Sequence, residues 1–493
     1  PSCGVCVNSY VRALVVSNCG SLDNCYALFF LDCGSFVGGL VGSGGGSVTS
    51  SFWDRTYSGI TQSAGGVGLN TTQMLTASNF AGWSGSIWGF IDGIAYPYLQ
   101  GQFTGTPQIV SGTLGGSTPT GQSVQLVSGG SLLEKDRAGD SGFYYVALDA
   151  GSVADGKAVL AYLPEADLDL NEMAGSVRLA NGSHMTGLNL APQTLDFSSN
   201  SASPVTAAAL TEVVGSLSDE AIPFTISGGI LTTTANHLRQ SAALSVDGLE
   251  VLGNGDVLLE NANNVIGQLA VSGAGSVKVV SSAALSLDLV GSTKGIVADD
   301  VWLRANGLRL EASASVTAGA TSGNSIVLDA GAGDFVNASG SSSPLSVQSG
   351  ARFLVYTADS ATAILGLMAD KPIYGMSYAV NGPESTEIGL RAGNRFVYAD
   401  AGTAYTLVVD DKTRIYGDAN PVLTYQTLTA MSGDVISNVT LSTGAMPDSN
   451  VGSYVIDKVT AYSDYNLQFN VTTGLLTVDK ANLTATTNAA SKT

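Results

Sequence analysis

Residues 243–312 read ALSVDGLEVLGNGDVLLENANNVIGQLAVSGAGSVKVVSSAALSLDLVGSTKGIVADDVWLRANGLRLEA, a stretch in which short apolar runs recur between turn residues. The runs alternate apolar and polar side chains and are bounded by Gly, Asn, Ser and Asp, a pattern that predicts β-strands. Two series of aliphatic residues mark the recurrence at a step of about 20 residues: Val257, Val277, Val297 and Val316, and Leu269, Leu289, Leu308 and Ile326.

A fixed period near 20 predicts an all-β repeat fold, because one such unit cannot bury its apolar face without neighbours on both sides. We therefore predict a right-handed parallel β-helix, in which full burial of each inward Val or Leu is worth roughly 1.5–3 kcal/mol. Asn261, Asn263 and Asn264 are expected at a turn, where Asn tolerates left-handed backbone and bonds neighbouring backbone groups. An α/β fold is excluded, since no helical pattern of about 10–15 residues separates the strands.

The composition also limits the class of protein. The chain has 493 residues, enough for several domains, and 44% of them are apolar, which excludes a disordered chain. Twenty basic and 40 acidic residues give a net charge of −20. Nucleic acid is therefore not expected as a partner, because phosphate binding needs clustered Lys and Arg, and anionic membrane surfaces are disfavoured for the same reason. No run of about 18 apolar residues is present, so no membrane span is expected.

All the cysteines lie near the start of the chain: Cys3, Cys6, Cys19, Cys25 and Cys33. The spacing of Cys3 and Cys6 is compatible with zinc or a redox pair, but no histidine precedes His184 and no second close pair follows. We interpret the cysteines as small side chains in repeat turns, and a disulfide among them stays open. The chain opens on Pro1 without a methionine or a secretory signal, which predicts a fragment of a longer polypeptide.

An internal repeat lies near the start of the chain. Residues 10–17 align with residues 36–43 at an offset of 26, and residues 20–26 align with 46–52. The second copy, FVGGLVG followed by GSVTSSFWD, resembles the GLUG repeat of bacterial surface proteins, although the first copy has Arg12, Ala13 and Val16 where glycines are usual. Aromatic residues downstream either stack on sugars or cap the array, and we predict capping: Trp53, Trp83, Trp88, Tyr96 and Tyr98.

The middle of the chain is less regular. Residues 101–125 are rich in Gly, Thr and Ser and are predicted as a linker or loose entry, and a short helix is predicted at 206–217. Residues 323–340 read GNSIVLDAGAGDFVNASG and residues 350–359 read GARFLVYTAD. The succession over about residues 200–400 that contains them resembles the distal part of filamentous-haemagglutinin-like exoproteins, the large secreted adhesins of two-partner secretion. That resemblance implies export from a Gram-negative bacterium through an outer-membrane transporter, with a secretion domain upstream of Pro1.

The residue pattern of the sequence changes at Tyr405. Residues 412–421 read KTRIYGDANP and residues 450–454 read NVGSY, an order similar to the MBG repeat, a β-grasp-like module of bacterial surface proteins. The resemblance implies one such module at 405–480. Lys492 and Thr493 repeat the pair Lys412 and Thr413 with which the motif begins, so residues 481–493 are interpreted as the start of a further truncated repeat.

Few residues suggest reaction chemistry. His184 and His237 are the two histidines, and no G-x-S-x-G elbow accompanies either. The best carboxylate candidate for polysaccharide cleavage is Asp299 with Asp300, near basic and acidic neighbours, but adjacent strand residues point to opposite faces: Arg304, Arg309 and Glu311. The Gly/Asp turns at 253–256 and 331–334 lack the tandem array that would indicate calcium. We predict no catalytic residue, no cofactor and no bound metal.

These observations divide the chain into six predicted segments. They are a GLUG-type array with an aromatic closing segment at 1–100, a linker and irregular β segment at 101–240, solenoid rungs at 241–350, a connecting β segment at 351–404, the MBG-like repeat at 405–480, and the truncated repeat at 481–493.

The expected function is that of a non-enzymatic adhesin segment, secreted or held on the outer bacterial surface. The resemblances imply host or bacterial surface glycans and proteins as partners, together with the two-partner-secretion transporter, and multivalency strengthens weak binding along many rungs. The alternative is a β-helix polysaccharide lyase or hydrolase, or a carbohydrate-binding surface protein.

Overall fold

The computed structural model describes residues 6–7, 10–11, 15–18, 20–28, 38–116, 121–164, 173–215, 217, 222–361, 366–367, 371–428 and 431–487. Strands make up 46% of the structure and helices 6%, so the predicted all-β class is confirmed. The chain forms two compact units. The first unit comprises Pro1–Ala305 with Leu310–Gly319, and the second comprises Asn306–Arg309 with Ala320–Thr493.

Short strands, two helical turns and a 3-10 turn open the first unit: Cys6–Val7 (β1), Tyr10–Val11 (β2), Val15–Asn18 (β3), Ser21–Asp23 (β4), Tyr26–Ala27 (β5), Val41–Gly44 (β6), Ser47–Thr49 (β7), Phe52–Asp54 (β8), Arg55–Ser58 (α1), Val67–Leu69 (β9), Thr71–Met74 (α2), Ala77–Phe80 (3-10), Trp88–Gly89 (β10) and Tyr98–Leu99 (β11). Strand β6 runs parallel to β3, β7 to β4 and β8 to β5. The paired residues follow the alignment of the repeat, as in Leu22 with Val48 and Tyr26 with Phe52. The predicted offset of 26 is therefore confirmed as a strand register.

The next part of the first unit changes from antiparallel to parallel pairing. Its elements are Gln108–Thr113 (β12), Ser123–Ser128 (β13), Ser131–Arg137 (β14), Phe143–Leu148 (β15), Ala158–Tyr162 (β16), Gly175–Leu179 (β17), Thr194–Ser199 (β18), Val205–Thr206 (β19), Ala207–Val214 (α3), Phe224–Ser227 (β20), Ile230–Thr233 (β21) and His237–Gln240 (β22). Strands β13, β14, β16 and β17 pair antiparallel, whereas β17, β18 and β22 pair parallel.

Two expectations for this part have different outcomes. The linker predicted at 101–125 is wrong for residues 108–113, because β12 pairs along its whole length with β15 and buries Ile109 and Val110 completely. The predicted helix at 206–217 is confirmed as α3. Its start is fixed by Thr206, whose hydroxyl accepts a hydrogen bond from the Ala209 N–H at 3.1 Å.

The stretch with the repeated aliphatic residues forms the next strands, which pair parallel except for β27 with β28: Leu244–Val251 (β23), Val257–Leu259 (β24), Val265–Val280 (β25), Leu285–Leu287 (β26), Leu289–Val290 (β27), Thr293–Lys294 (β28), Ile296–Arg304 (β29), Leu308–Leu310 (β30) and Val316–Ala318 (β31). The division between the two units falls within β30. Val257 pairs with Val277, and Ile296 pairs with Val316, at the spacing that the period predicts. All four side chains are fully buried. The period therefore predicted the burial of Val257, Val277 and Val316 correctly, and also the pairing of Val257 with Val277.

The burial predicted from the two aliphatic series is wrong for Val297 and Leu289, which are 51% and 54% exposed. The cause is an antiparallel hairpin formed by β27 and β28. On its N-terminal side Leu269 pairs with Leu287, and on its C-terminal side Val271 pairs with Ile296. The hairpin thus adds chain between Leu287 and Ile296, whose partners Leu269 and Val271 are only two residues apart on β25. Val277 consequently pairs with Val301 instead of Val297.

The hairpin is fastened to the strand β23 through Glu250, which is 3% exposed. The backbone N–H and hydroxyl of Ser292 donate to Glu250 Oε1 at 2.7 and 2.9 Å, and the Thr232 hydroxyl donates to Oε2 at 2.9 Å. Burial opposes ionisation of Glu250, but these hydrogen bonds outweigh it and hold the pKa of the carboxyl below its usual value. Val290 in the hairpin is fully buried.

Replacing Gly291 by alanine is expected to release this hairpin. Gly291 has a φ of +59°, and an added Cβ would lie 2.0 Å from Glu250 Oε2. Left-handed backbone costs a non-glycine residue about 1–2 kcal/mol, and displacing the carboxylate breaks its hydrogen bonds at about 1 kcal/mol more. The matched control is Gly273→Ala, which has a φ of +84° and open space around its Cβ. Equal losses for both variants in urea unfolding followed by tryptophan fluorescence would contradict the anchoring role of Glu250.

The predicted asparagine turn has a buried centre. Asn264 is fully buried, its Oδ1 accepts the Leu244 N–H at 2.8 Å, and its Nδ2 lies 3.0 Å from both Leu259 O and Val280 O. Its amide also pairs with that of Gln240 at 2.8 Å through both groups. Bonding to neighbouring backbone is therefore confirmed. The turn forms without left-handed backbone, since none of Asn261, Asn263 and Asn264 has a positive φ.

The second unit begins with parallel strands and ends with the MBG-like segment: Gly323–Asp329 (β32), Phe335–Asn337 (β33), Leu345–Ser346 (β34), Ala351–Thr357 (β35), Lys371–Ile373 (β36), Thr386–Gly389 (α4), Arg395–Tyr398 (β37), Tyr405–Val409 (β38), Lys412–Ile415 (β39), Tyr425–Leu428 (β40), Ile436–Thr443 (β41), Gly452–Ser463 (β42), Phe469–Thr472 (β43) and Gly474–Asp479 (β44). Strands β32, β35, β37 and β36 pair parallel. One three-stranded sheet (β40, β38, β43) and one four-stranded sheet (β39, β44, β42, β41) form the rest.

The motif KTRIYGDANP is held in place by Arg414, which is 6% exposed. Its guanidinium donates to Asn420 Oδ1 at 2.9 Å, to Pro447 O at 3.3 Å and to Met446 O. Asn420 donates in turn to Ala445 O at 2.7 Å. The polar residues of the motif therefore fasten one turn of the module to the loop after β41.

A buried ionic cluster joins the parallel strands of the second unit to the end of β42. Asp464 accepts from Arg395 at 3.2 Å and from Lys371 at 3.1 Å, and only 15% of the Asp464 side chain is exposed. Arg391, which is 1% exposed, donates through Nε to the backbone carbonyl of Asp464 at 3.1 Å. The cluster therefore holds the segment before Tyr405 against the MBG-like segment.

Candidate functional site

Three of the aromatic residues expected to cap the N-terminal repeat, Trp83, Trp88 and Tyr96, form a buried cluster with Tyr26 in the first unit, whereas Trp53 packs in a separate core with Leu22 and Leu40. Tyr26, Trp88 and Tyr96 are each 1% exposed and Trp83 is 6% exposed. The ring centres of Trp83 and Trp88 lie 4.5 Å apart, and Tyr26 stacks on Tyr96 at 6.2 Å. Trp83 and Trp88 pack on each other and are not available to stack on a sugar. Capping of the repeat array stays a prediction.

Asp54 positions one of these rings. It is fully buried at the start of α1, where its Oδ1 accepts the N–H groups of Thr56 and Tyr57, each at 2.9 Å. Its Oδ2 accepts the Tyr96 hydroxyl at 2.8 Å. Burial is the main cause that raises the pKa of Asp54, although the hydrogen bonds oppose it. The same carboxylate raises the pKa of the Tyr96 hydroxyl, to which burial contributes most.

Tyr98 differs from the other predicted aromatic residues in being half-buried, and together with Tyr96 it lines a cavity of about 540 Å³. The cavity opens between the loop after β11, strand β14 and the end of β15. Its aromatic lining includes Tyr26, Tyr98, Phe103 and Tyr145. From the sequence we predicted a capping role for Tyr98 but no role for Phe103 or Tyr145, which lie in segments interpreted as a linker and an irregular β segment.

The aromatic walls of the cavity are held by contacts behind them. Tyr98 and Phe103 meet edge to face with ring centres 6.0 Å apart. Tyr145 meets Tyr96 in the same way at 4.9 Å, and the Tyr26 hydroxyl donates to Pro97 O at 2.6 Å. The rings therefore have fixed orientations before any ligand arrives.

The polar side of the cavity carries Gln102, Glu134, Asp149 and Ser152, all exposed at its mouth. Asp149 ties two loops together, since its Oδ1 accepts the Thr104 N–H at 2.7 Å and its carbonyl accepts the Ser152 hydroxyl at 2.8 Å. Among the residues that the structure describes, those that line the cavity include these two carboxylates and no Lys, Arg or His. Such a lining accepts hydrogen bonds from hydroxyl and ammonium groups and repels anions.

Both histidine side chains accept a hydrogen bond from a backbone N–H group. His184 Nδ1 accepts the Ile109 N–H at 3.2 Å, and burial lowers the pKa of its ring. His237 Nδ1 accepts the Asp256 N–H at 3.1 Å. The Asp256 carboxylate, in the first predicted Gly/Asp turn, accepts the Ser276 N–H at 3.0 Å. These three side chains therefore connect neighbouring strands, and their acceptor atoms are used for that purpose.

The carboxylate pair considered for polysaccharide cleavage lies on β29. Asp299 is exposed and Asp300 is half-buried, between the buried residues Ala298 and Val301. Arg304 is exposed at the end of the same strand, Arg309 lies on β30, and Glu311 follows it. The lining of the cavity around Tyr98 includes none of these residues.

Within the described ranges, no three His, Cys, Asp or Glu side chains lie close enough together to hold a metal ion. Cys25 is buried, with its Sγ 3.2 Å from Asp23 O. Cys3, Cys19, Cys33 and the side chain of Cys6 lie outside the described residues. Among the residues that the structure describes, no helix has the length and apolar character needed to span a membrane.

Comparison with known proteins gives one family match. Residues 405–491 match the family model of the MBG domain (YGX type), which confirms the resemblance based on residues 412–421 and 450–454. Neither a curated protein nor a solved structure matches the chain.

Proposed function

We propose that this chain is a non-enzymatic segment of a secreted bacterial adhesin of the filamentous-haemagglutinin type, held on the outer cell surface. In this proposal GLUG-type repeats occupy residues 1–100, the parallel strands of residues 241–350 form the rungs of a right-handed β-helix, and a β-grasp-like MBG repeat follows at 405–480. The observation that carries it is the parallel register of Val257, Val277 and Val301, whose buried side chains recur from one strand to the next.

Three features support the β-helix. The chain passes from β23 to β31 without a helix, whereas parallel strands of an ordinary α/β sheet need a crossover connection that is usually helical. Leu249 pairs with Leu269, and Leu269 pairs with Leu287, so a second buried column accompanies the valines. Asn264 bonds backbone groups at Leu244 and Val280, which lie on strands on either side of it in the chain.

The adhesive role is supported by the family match and by how the reactive side chains are used. MBG domains occur in large adhesin-like proteins, and this one occupies the C-terminal part of the chain. Both histidines accept backbone N–H groups, so the side chains best suited to acid–base chemistry are committed to the fold. The proposed partners are surface glycans or proteins, together with an outer-membrane two-partner-secretion transporter for export.

A bead assay tests adhesion. Beads coated with the full chain are expected to attach saturably to epithelial or bacterial cells, and beads coated with serum albumin are the control. Attachment strengthens with coating density, because many weak contacts act together. Attachment no greater than that of the albumin beads would contradict the proposal.

The enzymatic alternative is tested with the same preparation. The chain is incubated with a panel of neutral and acidic polysaccharides, and reducing ends and unsaturated products are measured. We expect no product above the buffer control. Product formation that rises in proportion to the concentration of the chain would replace the adhesin proposal with that of a polysaccharide lyase or hydrolase.

A further inference from the structure

We infer that the cavity around Tyr98 binds a neutral or amino sugar ring and discriminates against acidic sugars. This inference rests on the proposed adhesive function, for which it supplies a contact site and a ligand class. It is carried by the combination of fixed aromatic walls, carboxylates at the mouth and the absence of Lys, Arg and His from the described part of the lining.

The walls suit the apolar face of a sugar. A cavity of about 540 Å³ falls within the range of small-molecule sites, roughly 300–1,000 Å³. Phe103 and Tyr98 present ring surfaces at 74° to each other, so a bound ring lies against one aromatic face and meets the edge of the other. Aromatic side chains combine a large apolar contact area with little conformational freedom to lose.

The polar groups suit hydroxyls and an ammonium group. Carboxylates are strong acceptors, and hydrogen bonds to them are about twice as strong as those between neutral groups. Gln102 adds both a donor and an acceptor beside Glu134 and Asp149. A uronic or sialic acid would bring its own carboxylate to this mouth without meeting a lysine or arginine, which is unfavourable by like-charge repulsion.

The site is also organised in advance. The Thr104 N–H holds Asp149 at 2.7 Å, and the Ala150 N–H donates back to Thr104 O at 3.3 Å, so two loops of the mouth are already joined. Fewer groups then lose freedom on binding, which favours affinity for a small ligand.

The test is a titration of the full chain with methyl glucoside, glucosamine, glucuronic acid and choline, followed by saturation-transfer NMR and calorimetry. We expect binding of the first two, with glucuronic acid and choline at least tenfold weaker. Phe103→Ala is expected to weaken sugar binding at least tenfold. Glu134→Gln should reduce the preference for glucosamine over methyl glucoside about threefold while binding of the neutral sugar persists.

The matched control is Leu132→Ala, since Leu132 is 49% exposed and lies next to Leu133, which lines the cavity. That variant should bind as the unmodified chain does. Tryptophan fluorescence and an unchanged unfolding curve establish that Phe103→Ala is folded. Equal binding of glucuronic acid, tighter binding of choline than of either sugar, or full affinity in a folded Phe103→Ala would each overturn the inference.

The two proposals fail separately. Cell attachment by coated beads that survives Phe103→Ala unchanged would sustain adhesion and overturn this cavity as the contact site. Sugar binding with the predicted selectivity by a chain whose beads do not attach would sustain the cavity and contradict adhesion.

Discussion

Replacing Asn264 by alanine is expected to lower the free energy of unfolding of the first unit by about 3–5 kcal/mol. The substitution leaves the Leu244 N–H and the carbonyls of Leu259 and Val280 buried without this partner, and each such group costs about 1–3 kcal/mol. All four tryptophans lie in the first unit, at positions 53, 83, 88 and 302, so urea unfolding followed by tryptophan fluorescence reports on it.

Asn263→Ala is the control for this experiment. Asn263 is the exposed neighbour of Asn264, and its own backbone N–H donates to Asn261 Oδ1 at 2.9 Å in either variant. Its loss should stay within about 0.5 kcal/mol, as for other surface substitutions. A similar small loss for Asn264→Ala would show that the cross-strand bonds of Asn264 are not needed.

Replacing Asp464 by asparagine is expected to destabilise the second unit by about 3–5 kcal/mol at neutral pH. Arg395 is 4% exposed and Lys371 is partly buried, and without the carboxylate both cations lack their counter-charge. Removing one partner of a buried ion pair leaves an uncompensated charge, which costs this much in other proteins. Because the tryptophans do not report on this unit, hydrogen exchange of the amides in β37 and β42 of the full chain is the measurement.

The pH dependence of this effect has a defined sign. Burial opposes ionisation of Asp464, but the hydrogen bonds and charges of Arg395 and Lys371 outweigh it and lower the pKa below 3.8. The stabilisation is therefore complete above the unfolded pKa and is lost as the pH falls below about 4 through the folded pKa. The protection of the unmodified chain should converge on that of Asp464→Asn at low pH.

The control here is Asp448→Asn, which makes the same change in net charge at an exposed position of the same module. It should leave exchange in β37 and β42 unchanged at every pH. A gap between the unmodified chain and Asp464→Asn that stays constant from pH 7 to pH 3 would contradict the ion-pair explanation.

The sequence predicted the parts of the fold that depend on local repetition. The alignment of residues 20–26 with 46–52 became a strand register, because equivalent residues of a repeat occupy equivalent positions. The alternation around Val257 and Val277 predicted their burial for the same reason. Residues 412–421 identified the C-terminal module, and the buried guanidinium of Arg414 explains why a polar motif is needed there.

Other parts depend on contacts between distant residues and leave no local pattern. Leu289 and Val297 fit the period but lie in or beside a hairpin, and the acceptor that holds it, Glu250, lies four strands earlier on β23. The cavity likewise combines Tyr98, Phe103, Glu134 and Asp149 from separate segments, none of which carries a recognisable motif. Composition predicted an aromatic cap, and only the tertiary arrangement distinguishes Tyr98 from the rings buried behind it.

The β27–β28 hairpin shows that the chain leaves the series of parallel strands and re-enters it with the register restored on both sides. Leu269 pairs with Leu287 before the hairpin, and Val271 pairs with Ile296 after it. A fluorescent label attached at Leu289, which is 54% exposed and lies outside the turn that contacts Glu250, would therefore be displayed without shifting any neighbouring strand.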